Sequence, residues 1–201
     1  MKLIIITGPT GSGKSTLSNI LLENLDHSFI LSTDNFYKTG FISNVSANLI
    51  EGYYDKVISQ NKKLIKEEII SIIKNKSISH FYRYDFKKKK RVKLFKDINR
   101  IDYLIIEGIF ALDIIELIKN NEFLLVNLKT SKKECKERIC IRDYLERGKS
   151  KRQCLDNFTK AWDIYKRKER NFNFKEIKHI VLLRNSFEIN KILKILSKKL
   201  A

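Results

Sequence analysis

Proline and glycine are scarce in this sequence. It contains a single proline, Pro9, and only seven glycines in 201 residues. It has no Pro-, Gly- or Ser-rich linker and no internal repeat, and 43% of its residues are hydrophobic. A chain of this length suits one domain with room for a small insertion or lid. We therefore predict one ordered domain over residues 1–201.

Cysteine and long apolar runs are also scarce. The three cysteines, Cys135, Cys140 and Cys154, are an odd number, and their spacing fits no common zinc-binding pattern. We interpret them as reduced thiols of a cytoplasmic protein. No stretch approaches the roughly 20 apolar residues that span a bilayer. Residues 3–7 are too short for the apolar region of a signal peptide, so we expect neither secretion nor a membrane partner.

Acidic residues are the third scarce group. Asp and Glu number 23 against 41 Lys and Arg, which gives a formal net charge of +18. Such an excess is typical of proteins with a polyanionic partner. The abundance of lysine, isoleucine and asparagine favours another explanation, a drift toward A- and T-rich codons that adds lysine to the surface. A phosphate-rich substrate would account for part of the charge. Nucleic-acid binding is a weaker hypothesis, because no aromatic-rich RNA-binding signature accompanies the basic residues.

Short apolar runs alternate with amphipathic segments along the chain. Runs typical of buried strands occupy residues 3–6, 29–31, 103–106, 123–126 and 179–183. Apolar residues at helical spacing occupy 17–25, 64–73, about 131–145, about 152–168 and 189–196. Alternating strands and helices predict right-handed βαβ units. The predicted fold class is α/β, with a mainly parallel five-stranded sheet covered by helices on both faces.

A glycine-rich segment follows the first predicted strand. Residues 8–15 read G-P-T-G-S-G-K-S and match G-x-x-x-x-G-K-[ST] in full, between an apolar strand and an amphipathic helix. Glycines let backbone N–H groups converge on an anion, and the N-terminal end of the helix adds positive potential. Lys14 is predicted to bridge the β- and γ-phosphates of ATP, and the Ser15 hydroxyl to coordinate Mg²⁺. The pattern indicates a P-loop NTPase. The predicted nucleotide-binding residues are Gly8, Gly11, Ser12, Gly13, Lys14, Ser15 and Thr16.

Two carboxylates follow the second and third predicted strands. Ligands of open α/β sheets bind outside the carboxyl ends of the strands, so Asp34 is predicted to face the γ-phosphate. It could accept the proton of a substrate hydroxyl or contact Mg²⁺ through water, and the sequence leaves a helix N-cap open as the alternative. Glu107 is predicted to be the second Mg²⁺-binding residue, with a capping or salt-bridging role as its alternative.

Further segments make the pattern more specific. Residues 32–38 (STDNFYK), 84–86 (YDF), 107–109 (EGI) and 142–149 (RDYLERGK) occur in the order and approximate spacing seen in uridine kinases. With the phosphate loop, they make the chain resemble the uridine/cytidine kinase group of P-loop kinases, which is similar to phosphoribulokinase and bacterial pantothenate kinase. The resemblance covers about residues 1–185. It implies an ATP- and Mg²⁺-dependent phosphotransferase acting on the 5′-hydroxyl of uridine or cytidine in pyrimidine salvage.

The resemblance also implies roles for particular residues. Asp34 corresponds to the catalytic base, with Lys14 and Arg142 as the other catalytic residues, and Ser15 and Glu107 correspond to the metal-binding pair. The residues that it places around the acceptor are Asp55, Tyr84, Lys89, Arg142 and Asn157.

A lid is also implied by the resemblance. Arg147 and Lys149 match cations that close over ATP, and mobile cations of this kind neutralise charge and exclude water only when both substrates are bound. The alternative for both is a solvated loop in a very basic protein. The single domain is thus expected to carry a substrate-binding insertion at about 36–100 and a lid at about 142–153. A homo-oligomer is left open.

Several positions depart from the family pattern. Lys89 stands where a histidine contacts the base, Asn157 where a glutamine is usual, and Ile139 where an arginine is usual in one motif. The segment before Tyr84 lacks the usual proline, and the segment after Asp55 lacks a His-Pro pair. Most of these changes touch the acceptor pocket. A kinase of the same fold for another small alcohol, such as pantothenate, a sugar phosphate or nicotinamide riboside, therefore stays an alternative.

Overall fold

The computed structural model describes residues 1–39, 59–85, 88, 90–147, 150–185 and 187–198, the side chains at 146, 147 and 198 excepted. The sequence positions Asp55, Lys89 and Lys149, and the side chain of Arg147, lie outside the described part. In chain order the elements are β1 (Lys2–Thr7), α1 (Lys14–Asn24), β2 (Ser28–Ser32), α2 (Lys62–Asn75), β3 (Ile78–Asp85), β4 (Lys90–Ile98), β5 (Tyr103–Glu107), α3 (Ala111–Ile118), β6 (Phe123–Leu128), α4 (Lys132–Arg147), α5 (Lys151–Asn171), β7 (Ile180–Leu183) and α6 (Ile189–Lys198).

Five parallel strands form the central sheet in the order β2-β5-β1-β6-β7. The chain leaves β1 for β2 in one direction, across β5, and later crosses β1 in the other direction to reach β6. Connections that diverge in this way open a crevice at the carboxyl ends of β1 and β6, where ligands of doubly wound sheets bind. The α/β prediction and the five-stranded sheet are confirmed.

The strands are buried on both faces, so their side chains feed two cores. In β1, Leu3 and Ile5 point to one core, and Ile4 and Ile6 point to the other. The first core is closed by apolar residues of α2 and α3, and the second by those of α1 and α6. This two-residue alternation explains why the strands read as continuous apolar runs rather than alternating ones.

Two elements were not predicted from the sequence. The strands β3 and β4 pair as an antiparallel two-stranded sheet, and the short helix α3 lies between β5 and β6. The pattern of β4, K-R-V-K-L-F-K-D-I, has cations scattered through it, and all but three of its residues are exposed. α3 is only eight residues long and mostly buried, so its apolar run shows little helical periodicity.

The predicted helices at 131–145 and 152–168 are confirmed with longer bounds. α4 extends to Arg147 and α5 begins at Lys151, so Glu146 and Arg147 belong to a helix rather than to the polar connection. Ser150 caps α5 in a capping box with Gln153. In the described ranges, no helix combines the length and apolar character that crossing a bilayer requires.

Candidate active site

The phosphate loop connects β1 to α1 at the sheet crevice. Lys14 is buried there, and its Nζ donates hydrogen bonds of 2.9 Å to the carbonyl oxygens of Gly8 and Pro9. The Ser12 hydroxyl is also buried and has no hydrogen-bond partner among the described residues. A buried hydroxyl without a partner is costly, and a ligand held by the loop would supply one.

Gly11 shows why this loop requires glycine. Its φ is +79°, and a Cβ at this position would come within 2.4 Å of the backbone oxygen of Cys135 on α4. The loop is therefore in direct contact with the helix that leads toward the predicted lid. Ile139, which stands where the family pattern has arginine, is buried beside Gly11 in a small core with Cys135 and Phe158.

The two predicted carboxylates converge on the loop. Glu107 ends β5 and lies between Ile6 of β1 and Ser32 of β2 in the sheet register. The Ser15 hydroxyl donates to Glu107 Oε2 at 3.4 Å, which unites the predicted metal pair. A Cβ on the next residue, Gly108, would lie 1.9 Å from Thr33 Oγ1 and 3.3 Å from Asp34 Oδ1. Glycine thus lets the turn with Asp34 pack directly on the end of β5.

Asp34 lies in the 3₁₀ turn Thr33–Phe36 that continues β2. The residue at the N-cap of this turn is Ser32, so Asp34 is not the cap that the sequence left open. Gln60, which is buried, donates to the carbonyl oxygen of Thr33 at 2.8 Å and holds the turn from its other side.

The charges around Lys14 form one electrostatic group. Burial lowers the pKa of Lys14, while the nearby carboxylates of Glu107 and Asp34 raise it and the guanidinium of Arg142 lowers it. Burial is the largest of these effects. An ammonium that is poorly solvated and stays near two carboxylates is well placed to bind a polyphosphate, whose charge exceeds that of either carboxylate.

Arg142 projects from the second half of α4. Its Nε and Nη2 donate to Oδ1 of the buried Asp143 at 3.2 and 2.9 Å. Because it also influences the pKa of Lys14, the guanidinium lies on the phosphate side of α4. Asn157, in contrast, is exposed on α5, away from the buried face of that helix, and its predicted acceptor role stays a prediction.

The predicted acceptor residue Tyr84 lies near the end of β3. It is buried against Tyr37, with ring centroids 5.2 Å apart, and Tyr37 in turn contacts Phe110 edge-on at 6.1 Å. The backbone N–H of Tyr84 donates to Asn35 Oδ1 at 3.1 Å. The aromatic wall is therefore attached to the turn that carries Asp34.

A polar network behind the loop was missed by the sequence reasoning. The Tyr165 hydroxyl of α5 lies within 3.4 Å of Thr7 Oγ1 and 3.5 Å of Asn127 Oδ1, at the carboxyl ends of β1 and β6. Asn127 Nδ2 and Lys129 Nζ donate to Glu169 Oε1 at 3.3 and 2.7 Å. Burial alone would raise the pKa of Glu169, but these hydrogen bonds bring the pKa below its usual range. The polar residues that end the strands were the only sequence signal for this anchor of α5.

The residues present fit a magnesium ion. Mg²⁺ prefers oxygen ligands and is commonly bound by one or two carboxylates together with substrate phosphates. Ser15 and Glu107 supply a hydroxyl and a carboxylate within hydrogen-bond distance of each other, next to the phosphate loop. No cluster of three or more His, Cys, Asp or Glu side chains occurs in the described ranges, which argues against an all-protein metal cage there.

These features define a class. A phosphate loop at the switch point of a parallel sheet, with carboxylates from the two neighbouring strands beside its lysine, is the arrangement of a P-loop kinase. The model of the Phosphoribulokinase / Uridine kinase family matches residues 3–176. The chain belongs to this family and is a phosphotransferase.

Individual relatives agree with the family. The chain is 33% identical over 156 residues to a uridine kinase of Ureaplasma parvum serovar 3, which covers 74% of this chain and 72% of the relative. It is 31% identical over 162 residues to a uridine kinase of Clostridium novyi, with coverage of 78% and 74%.

Solved structures share the fold at low sequence identity. A structure described as a possible uridine kinase from Bacillus stearothermophilus has a TM-score of 0.59 at 16% identity and covers 89% of this chain and 87% of its own. YFH7 from Saccharomyces cerevisiae has a TM-score of 0.67 at 11% identity and covers 92% of both chains. At these identities the likeness concerns the fold alone.

Proposed function

We propose that the protein transfers the γ-phosphate of ATP to the 5′-hydroxyl of a pyrimidine nucleoside, uridine or cytidine, with Mg²⁺ as cofactor. The observation that carries this proposal is the convergence of Lys14, Asp34 and Glu107 at the carboxyl ends of three adjacent strands. The similarity to uridine kinases supports the choice of acceptor.

In the proposed reaction each residue has one task. Asp34 receives the proton of the acceptor hydroxyl as its oxygen attacks the γ-phosphorus, and Lys14 stabilises the negative charge on the transferred group. Ser12 and the loop N–H groups hold the polyphosphate. Arg142 adds positive charge from α4 on the side opposite the carboxylates. ADP leaves with its new terminal phosphate oxygen still near Lys14.

Ser15 and Glu107 would hold the metal. When bound, Mg²⁺ supplies charge neutralisation to the β- and γ-phosphate oxygens. Arg147 and Lys149 remain proposed lid cations, and Asp55, Lys89 and Asn157 remain proposed acceptor residues. No disulfide joins the cysteines, which supports the proposal of a cytoplasmic location.

A coupled ADP-release assay tests this proposal. Uridine, cytidine and purine ribosides are offered one at a time with ATP and Mg²⁺, and the phosphorylated product is identified by mass spectrometry. We expect turnover with uridine or cytidine and none without the metal. Background rates with all ribosides, together with turnover of another alcohol, would contradict the choice of acceptor and leave the kinase class intact.

A second acceptor class is favoured by one observation, the cations of the hairpin. Lys89 replaces a histidine of the family pattern, and Arg91 lies half-buried opposite Tyr84. Cations in this wall would suit an alcohol that also carries a carboxylate or phosphate, such as pantothenate or a sugar phosphate. Thermal-shift screening separates the two classes, because the correct acceptor raises the melting temperature by mass action.

A further inference from the structure

The hairpin formed by β3 and β4 is tied to the turn that carries Asp34. Its two strands pair with each other and not with the central sheet. Two hydrogen bonds that involve side chains cross between hairpin and turn. One runs from the Tyr84 N–H to Asn35 Oδ1, and the other runs from Arg91 Nη1 to the carbonyl oxygen of Tyr37, each at 3.1 Å.

Arg91 is placed to act as a clasp rather than as a surface charge. It lies directly opposite Tyr84 in the strand register, and the centre of its guanidinium is 5.4 Å from the centroid of the Tyr82 ring. The planar guanidinium is thus stacked on one hairpin residue while it donates to the turn. Its bond to Tyr37 lies only three residues beyond Asp34, at the far end of a one-turn helix that cannot stretch.

We propose that Arg91 is a positioning residue for the acceptor: its guanidinium holds the hairpin at a fixed distance from Asp34. Tyr84 forms the wall on one side of this distance, and the proton-accepting carboxylate lies on the other. An acceptor that rests on the hairpin then presents its hydroxyl to Asp34 without a search, which is the effect of proximity and orientation. The inference depends on the proposed function for the identity of the acceptor, and not for the geometry.

The chain contains a matched control on the same face of the same strand. Lys93 lies two residues further along β4, opposite Tyr82, and its Nζ is 5.5 Å from the Phe95 ring. Lys93 is exposed and lies on a different ring from Arg91. Lys93→Ala therefore removes one positive charge from the hairpin without breaking the clasp.

The test is steady-state kinetics with both substrates varied, on Arg91→Ala, Arg91→Lys and Lys93→Ala. For Arg91→Ala we expect the KM of the acceptor to rise by about tenfold and kcat to fall, with the KM of ATP within about twofold of the wild type. Arg91→Lys keeps a donor for the Tyr37 carbonyl but loses the stacked plane, so it should recover part of the acceptor KM. Lys93→Ala should match the wild type.

A purely structural role gives a different pattern. It would lower the folded fraction, and with it kcat and the melting temperature, but would leave the acceptor KM unchanged. That result for Arg91→Ala, or for Arg91→Lys if the alanine variant does not fold, overturns the inference. An equal rise in acceptor KM for Lys93→Ala also overturns it, because charge rather than position would then be responsible.

A second measurement separates this inference from the proposed function. If the wild type prefers an alcohol other than a nucleoside, the same variants are measured with that alcohol, and the same split between acceptor KM and ATP KM is expected. The double variant Asn35→Ala/Arg91→Ala adds a further check. Because both residues join the same two segments, their effects on acceptor KM should be non-additive. Strict additivity would contradict a shared clasp.

Discussion

The donor side and the acceptor side of the site are built differently. Lys14, Ser15 and Glu107 belong to neighbouring elements of one parallel sheet and are held by strand pairing and by two buried cores. The acceptor wall around Tyr84 belongs to a separate hairpin that reaches the turn of Asp34 through the hydrogen bonds of Asn35 and Arg91. The donor side is thus fixed by the fold as a whole, and the acceptor side by a few side chains.

This difference teaches where specificity can change within the fold. A substitution among the sheet residues disturbs two cores at once, whereas a substitution in the hairpin touches only its own contacts. The departures from the family pattern, at Lys89 for example, are concentrated on the acceptor side. Each of the following predictions acts on one side and should leave the other unaltered.

The largest effect is expected for Asp34→Asn. The amide keeps the shape of the carboxylate but cannot accept the proton, so turnover should fall by about 10²-fold or more while ATP affinity stays nearly intact. Turnover is measured by ADP release and ATP binding by calorimetry. Asp26→Asn, at an exposed position after α1, is the control and should match the wild type. Unchanged turnover of Asp34→Asn would rule out Asp34 as the base.

Lys14→Met should separate binding from stability on the donor side. Burial lowers the pKa of Lys14, so the free protein carries a poorly solvated ammonium that methionine does not have. The ligand-free variant should melt no lower than the wild type, while the rise in melting temperature with ATP and Mg²⁺ should disappear.

The same substitution has a pH dependence of known sign. The folded wild type loses the Lys14 proton at a lower pH than the unfolded chain does, because the pKa is lowered in the folded state. Between those two pKa values the unfolded chain binds more protons, so wild-type stability rises with pH. The stability advantage of Lys14→Met should therefore shrink as the pH rises toward 10.5. An advantage that grows with alkaline pH would contradict the lowered pKa.

Gly108→Ala tests the contact between the two sides. The φ of +137° and the 1.9 Å approach to Thr33 Oγ1 leave no room for a Cβ, so we expect a loss of about 2 kcal/mol or more in the free energy of unfolding. Urea unfolding measures it. The double variant Gly108→Ala/Thr33→Ala removes the clashing oxygen and should recover part of the loss. No recovery would show that backbone strain alone is responsible.

The smallest effect is expected for Thr130→Val. The Thr130 hydroxyl lies within hydrogen-bond distance of the carbonyl oxygens of Ser12, at 3.0 Å, and Arg184, at 3.2 Å, so it joins the phosphate loop to the segment after β7. The isosteric valine should cost about 1 kcal/mol of stability and raise the KM of ATP a few-fold. The acceptor KM should not change. An equal change in both KM values would contradict the separation of the two sides.

Sequence reasoning succeeded where the signal was local. The phosphate loop was predicted because its eight residues bind an anion with their own backbone, and β5 was predicted with Glu107 at its end because a buried strand reads as an apolar run. The hairpin was missed because its residues pack on distant segments, and half-exposed strands with scattered cations carry no clear period.

The sequence by itself determined the parallel α/β fold, the phosphate loop and the positions of Asp34 and Glu107 at strand ends, because each depends on neighbours in the chain. Only the tertiary structure decided that Gly108 lets Asp34 approach β5, that Arg91 reaches the Tyr37 carbonyl, and that Glu169 anchors α5 behind the loop. These contacts join residues 40 to 75 positions apart. They depend on how the segments pack, which no local pattern records.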